Sequence, residues 1–438
     1  MSTRSPTSPA SPTSWSSRST PGAPGGPDHL RATRPGGSGT PSRRATIRDM
    51  RVLVASTAGA GHFGPLVPFA HALRDAGHEV AVAAPASFAD DVARREFAHH
   101  PFADAPAEQL QATFARLPQL PAEEADEVVV REVFGRLDAQ AALPGVLATI
   151  DRWHPDLVLR EPAELGSLAA AEASGVPHAT VAIGMTRVVE DMAPHLAEPF
   201  AELDALAGLP PGRCEKASAA APLLTGVPPT LDGARGEPPV VPHRFRVEDA
   251  RVAPALPPPW GDPEAPLVYV TFGSVTAGLG TFRAVYRRAV DVLADAPYRL
   301  LLTTGSALDP SDLGPLPANA HVERWWPQAT VMPVAAAVVG HGGFGTTMTA
   351  VVHGVPQVVL PLFSFDQFLN ADHLAAVGAG VRLDGGPDGV AGLPAALERL
   401  LGDPGHRAEA RDLAAEVAAL PPVTDAPALL EELVRRAA

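Results

Sequence analysis

From Met50 onward, short runs of β-branched and other apolar residues alternate with longer Ala- and Leu-rich amphipathic stretches. That alternation is the pattern of βα units feeding parallel sheets. In the first half it predicts strands over Val52–Ser56, Val80–Ala84, Leu157–Leu159 and Ala179–Ile183, and helices over Pro65–Ala76 and Ala163–Ser174. Residues 101–150 and 185–235 are less regular, with scattered prolines, and suit a variable pocket. A Pro-rich stretch, Val241–Pro263, includes Pro257-Pro-Pro-Trp260 and reads as a linker. A second series follows: strands Leu267–Phe272, Arg299–Thr303, Ala336–Val339 and Gln357–Leu360, with helices Thr281–Leu293 and Thr346–His353. The expected fold class is α/β, with two doubly wound Rossmann-like domains, 50–240 and 264–420, facing each other across a cleft. A last helix within 421–438 is expected to pack back on the first domain.

Residues 1–49 are rich in Ser, Thr, Pro and Gly and nearly free of large apolar side chains, so disorder is expected there. The abrupt onset of order makes Met50 the expected natural start. At 438 residues the chain is too long for one ordinary core and suits two. Its hydrophobic content of 46% is enough to build them. A net charge of -15 argues against nucleic acid, whose phosphates require a basic footprint. No basic cluster is dense enough for a lipid surface. No apolar run approaches the roughly 20 residues of a membrane span, and no charged-then-apolar leader is present, so a cytoplasmic protein is expected. The single cysteine, Cys214, rules out an internal disulfide and a four-cysteine zinc site.

Gly59-Ala-Gly-His-Phe-Gly64 has the dinucleotide spacing G-x-G-x-x-G between the first strand and a helix. The acidic residue that reading requires is missing, because the second strand ends Val82-Ala-Ala-Pro85 and Glu79 lies at its front. His62 in this turn is either a capping residue or a proton acceptor at the sheet's carboxyl edge. In the second half, Val338-Val-Gly-His-Gly-Gly-Phe-Gly-Thr-Thr347 is a strand, a glycine-rich turn and a helix start. Exposed amides and the helix dipole at such a turn favour an anion. No Walker lysine and no acidic pair for magnesium accompany it. Before it stands Glu323-Arg-Trp-Trp-Pro-Gln328, where one tryptophan can stack on a nucleobase and the other belongs to the core. After it, Asp366 and Gln367 suit sugar hydroxyls, while Asn370 and Asp372 are read as serving the helix start.

Together these motifs resemble the nucleotide-sugar glycosyltransferases of the GT-B fold, family 1, above all the bacterial enzymes that glycosylate polyketide and other natural products. The resemblance runs from Met50 onward. It is most specific between Trp325 and Ala371, where Trp-x-Pro-Gln, His-Gly-Gly-x-Gly-Thr and Asp-Gln-x-x-Asn-Ala recur in order. It implies an N-terminal acceptor-binding domain and a C-terminal nucleotide-sugar-binding domain. It makes His62 the general base, oriented by Glu161 or, in its place, Glu164. It gives the base to Trp326, with Gln328 beside it. The diphosphate falls to Gly273, Ser274, His341, Gly342, Gly343, Gly345, Thr346 and Thr347, and the sugar to Asp366 and Gln367. Uridine-using relatives carry a glutamate where this chain has Thr349. With no partner there for a ribose 2′-hydroxyl, a dTDP-linked deoxysugar donor is expected. The implied reaction is an inverting transfer to a hydroxyl of a small apolar acceptor, with no cofactor and no metal. The implied partners are the acceptor and the nucleotide sugar, with room for a homodimer and an auxiliary activator protein. The alternatives are a nucleotide-sugar epimerase of the same architecture, a non-catalytic binding or activator protein, and a pyridoxal-dependent phosphorylase, for which Lys216 is poorly placed.

Overall fold

A computed structural model describes residues 49–236, 241–247 and 255–437. The stretch 1–48 lies outside them, with the expectation of disorder made for it, and so does residue 248–254 of the expected linker. Among the described residues there are two parallel sheets. The first contains β1 (Arg51–Ala55), β2 (Glu79–Pro85), β3 (Ala98–Phe102), β4 (Leu157–Arg160), β5 (His178–Val181), β6 (Leu223–Thr225) and β7 (His243–Arg244). Their order across the sheet is β3-β2-β1-β4-β5-β6-β7. The second contains β8 (Leu267–Thr271), β9 (Arg299–Thr303), β10 (Ala320–Glu323), β11 (Ala337–Gly340), β12 (Gln357–Val359) and β13 (Gly380–Arg382), in the order β10-β9-β8-β11-β12-β13.

Both orders reverse once, between β1 and β4 and between β8 and β11. Loops leaving adjacent strands there turn to opposite faces of the sheet and open a crevice at the carboxyl ends. The register aligns Ala55 with Arg160 and Gly340 with Thr271. The segments that follow these pairs carry His62, Glu161, Gly273 and His341. Central strands such as β4, Leu-Val-Leu-Arg, are buried along their whole length because helices cover both faces.

The strands that hydropathy missed flank the sheets. The edge strands β3, Ala-His-His-Pro-Phe, and β10, Ala-His-Val-Glu, are part-exposed and polar, while β6, β7 and β13 are two or three residues long. The region 101–150 proves largely helical. Its last helix runs from Ala122 to Trp153 as two α-helical stretches, Ala122–Val128 and Ala139–Trp153, joined by a π-helical stretch, Val129–Asp138. There Gly135 allows Pro199 to approach, since a Cβ would lie 2.7 Å from its ring.

The lobes share an apolar seam in which Met185, Val227 and Leu231 meet Val351, Val359, Ala371 and Leu374. The chain then crosses back. Arg246 donates its amide to Pro421 at 2.7 Å, and Val423 donates to Arg246 at 3.0 Å. The final helix, Ala426–Ala437, buries Ala426 and Leu430 against Val52, Val54, Phe69 and Leu73 of the first lobe. No helix among the described residues is long and apolar enough to cross a membrane. Leu430→Ala is expected to cost about 2–4 kcal/mol by opening a cavity at this contact. Urea unfolding checks it, and an unchanged midpoint would show that the helix contributes nothing to the first lobe.

Candidate active site

β1 leads through Ser56 and Thr57 into a turn at Gly59 (φ 134°) and the short helix Ala60–Phe63. His62 stands at its exposed side with 23% of its side chain accessible, and its Nδ1 lies 3.2 Å from Glu161 Oε1. Glu161 follows β4 directly and is fully buried. Its Oε1 also accepts from the Thr57 amide and hydroxyl, each at 3.2 Å, and its Oε2 from the Ala163 amide at 2.6 Å. Burial alone would favour a neutral carboxyl. The imidazole and the amide donors outweigh it and hold Glu161 below the usual carboxylate range. An ionised carboxylate can only accept, so His62 donates from Nδ1 and leaves Nε2 as a proton acceptor. For His62, burial pulls the pKa down. The charge and hydrogen bond of Glu161, with Asp366 and Asp138 beyond, more than reverse this and raise it.

The two glutamates divide their tasks. Glu164 Oε2 accepts the Ser167 amide at 2.8 Å, serving the helix Gly166–Ser174, and burial lifts this carboxyl to about 7. Arg160, itself buried, donates to the main-chain oxygens of Glu161 at 3.2 Å and Glu164 at 3.5 Å, pinning the turn that aims Glu161. Two neighbours of His62 were not foreseen. The Phe134 ring lies 5.3 Å from the imidazole, and burial pushes nearby Asp138 up to about 6. Both belong to the π-helical stretch, whose widened turn breaks the 3.6-residue period that would have flagged them.

In the second lobe, the buried His341 ring lies between Gly273 and Gly343. A Cβ on either glycine would come within 2.6 Å of the ring. Burial pushes this histidine down to about 4, so it is neutral near pH 7, and its Nδ1 has no hydrogen-bond partner. The helix Phe344–Val352 starts beside it with its first amides unpaired. Gly345 is open, and Ser274 is exposed at the end of the β8 loop. Gln328 donates to Thr346 Oγ1 at 2.9 Å, tying the β10 loop to this helix. The arrangement can receive an anion between an imidazole, a glycine turn and a helix N-terminus.

Four sequence expectations change. Asn370 does not serve its own helix start; it donates to the Gly342 carbonyl at 2.7 Å and holds the glycine turn. Gln367 is buried, and its side-chain oxygen is occupied by the amides of Leu362 (2.9 Å) and Phe363 (3.3 Å). Trp326 packs against the core that includes Tyr269 and Val331, whereas Trp325 is 70% exposed. Of the two, the core tryptophan is therefore Trp326, because Trp325, two residues past the end of β10, turns outward and the next residue turns in. Thr347 is buried. Asp366, bonded by the Ser364 hydroxyl, lies close enough to His62 for each charge to shift the other's pKa.

Residues 71–217 and 290–433 match the N-terminal and C-terminal domain models of the erythromycin biosynthesis protein CIII-like family. The chain is 34% identical to the L-demethylnoviosyl transferase of Streptomyces niveus, over 85% of this chain and 95% of that protein. It is 30% identical to the TDP-daunosamine transferase of Streptomyces peucetius, over 88% and 97%. Among solved structures, the glycosyltransferase VinC in complex with dTDP superposes with a TM-score of 0.70 at 25% identity, over 88% of this chain and all of that one. With these matches and this fold, the chain belongs to the erythromycin biosynthesis protein CIII-like glycosyltransferases, GT-B enzymes of family 1 from bacterial natural-product biosynthesis.

Proposed function

We propose that the enzyme transfers a deoxysugar from a dTDP-linked donor to a hydroxyl of a small, largely apolar natural product, by a single inverting displacement. The observation that carries this reading is the pairing of the accessible His62 with the buried Glu161, with Asp366 of the other lobe close to it. His62 Nε2 takes the acceptor's proton as the hydroxyl oxygen attacks the anomeric carbon, while Glu161 stabilises the imidazolium. The bond to the diphosphate breaks on the opposite face. The charge that develops there is assigned to the first amides of the helix at Phe344, to the glycine turn and to the neutral His341, which donates without bringing a charge of its own. Asp366 holds sugar hydroxyls. The base stacks on Trp325 rather than Trp326, since the former is largely exposed and the latter packs against the core of the second lobe.

The hydroxyl of Thr349 turns back to its own helix, donating to Gly345 O at 2.8 Å. Its proton is thereby engaged, which leaves only a neutral acceptor oxygen where uridine-using relatives place a carboxylate for both ribose hydroxyls; this supports a thymidine donor, as does the ligand of VinC. Mass spectrometry of the products from a panel of nucleotide sugars and aromatic or polyketide aglycones tests the reading as a whole.

His62→Ala is expected to lower kcat by ~10²–10⁴ while dTDP affinity stays within about twofold. Wild-type rates in that variant would remove His62 from the chemistry. Glu161→Gln takes away the charge that raises the His62 pKa, so the acid limb of the pH–rate profile should move to lower pH as kcat falls. A limb that stays in place would mean that another group titrates. Gly343→Ala drives a methyl into the His341 ring and should weaken dTDP binding by about tenfold in calorimetry. In the same assay UDP is expected to bind more weakly than dTDP, and a UDP preference would overturn the donor assignment.

A further inference from the structure

The helix Phe365–Ala376 belongs to the second lobe yet is seated in the first. Its Phe365 and Leu369 pack against the first-lobe cluster of Val130, Ala139 and Leu143. Farther along, His373 Nδ1 donates to the Leu231 carbonyl at 2.7 Å. At the N-terminus of this helix the second lobe serves the amides of Asp366 and Gln367 through the Asp366 carboxylate, but not the amide of Phe365. Ser364 makes no side-chain bond to the helix amides, because its hydroxyl is turned to the Asp366 carboxylate. The Phe365 amide donates instead to Asp126 Oδ1, 3.3 Å away on the first-lobe helix Ala122–Val128. A carboxylate suits this position, since it satisfies an otherwise unpaired amide and opposes the positive end of the helix dipole. Burial pushes Asp126 up to about 6 against the effect of the Phe365 bond, and the charge of Asp366 adds to it, which puts Asp126 near the sugar-holding carboxylate as well.

We propose that Asp126 is a positioning residue for sugar transfer: by capping, from the first lobe, the second-lobe helix that begins at Phe365, it sets where Asp366 stands relative to His62. The proposal rests on the transfer reading above. Asp366 is the residue after the capped amide, so a shift of the helix start moves it directly. A misplacement of about 1 Å at a reacting centre is enough to cost about a hundredfold in rate. The dTDP site is built by the second lobe, where Asn370 keeps hold of its glycine turn downstream of the cap, so dTDP affinity should change far less than kcat.

The test compares full-length Asp126→Ala and Asp126→Asn with the wild type. The readouts are kcat, donor KM, dTDP affinity and hydrogen exchange of the amides at 365–368. Asp126→Ala should lower kcat about tenfold or more, with dTDP affinity within about twofold, and should speed exchange at Phe365 about tenfold. Asp126→Asn, whose amide oxygen still accepts the bond, should stay within about threefold of wild type on every measure. Wild-type kcat in Asp126→Ala would overturn the proposal. So would equal losses in both variants, or a fall in dTDP affinity that matches the fall in kcat. If the wild type transfers no sugar at all, the transfer reading falls; the exchange measurement then decides the cap by itself, and unchanged exchange in Asp126→Ala rejects it.

Discussion

A carboxylate without water must be satisfied by protein, and the first lobe of this enzyme is arranged around one such group. Glu161 has no exposed surface, and its two oxygens receive the Thr57 amide and hydroxyl, the Ala163 amide and the His62 ring. An isolated charge in that position would be lost to protonation; with four donors it is retained, and its negative charge is available to the imidazole. The loops after β1 and β4 can supply those donors because the strands are neighbours at the point where the strand order reverses. Sheet topology, a buried charge and the ionisation of His62 are therefore one problem with one solution.

The second lobe solves the opposite problem. There the expected guest is an anion, and the lobe supplies neutral donors around it rather than a counter-charge. His341 is buried without an acidic neighbour, so it stays uncharged, and its unpartnered Nδ1 and the first amides of the Phe344 helix remain for a ligand. The glycines serve this arrangement twice: Gly273 and Gly343 leave space for the ring, and Gly342, at φ 89°, lies against the Gln367 backbone, where a Cβ would be 2.7 Å from a carbonyl oxygen. Asn370 completes the turn by donating to its Gly342 carbonyl. Donors fixed in this way need no reorganisation as charge develops on a leaving group.

The two halves are joined by the helix Phe365–Ala376, which carries Asp366 and is gripped by the first lobe at both ends, through Asp126 and Leu231. This explains why a second-lobe residue contributes to the ionisation of a first-lobe histidine. The helix from Ala122 to Trp153 is its counterpart. Near its start it caps Phe365, and through its π-helical turn it presents Phe134 and Asp138 to His62. Both lobes thus reach the reacting region through one element that crosses the seam.

What the amino-acid order determined unaided was whatever depends on near neighbours. Buried parallel strands require unbroken apolar runs, so the central strands were legible, as were the glycine turns and the histidines at strand ends. The flanking strands were not, because exposure on one side and lengths of two or three residues leave little hydrophobic pattern. Only the tertiary structure chose Glu161 over Glu164 for His62, turned Trp325 outward and Trp326 inward, and committed Gln367 and Asn370 to the loops beside them. His62 and Glu161 are 99 positions apart, and Asp126 and Phe365 are 239 apart. A contact across such distances has no local period or propensity to announce it. It exists because packing two sheets and their covering helices brings those backbones together.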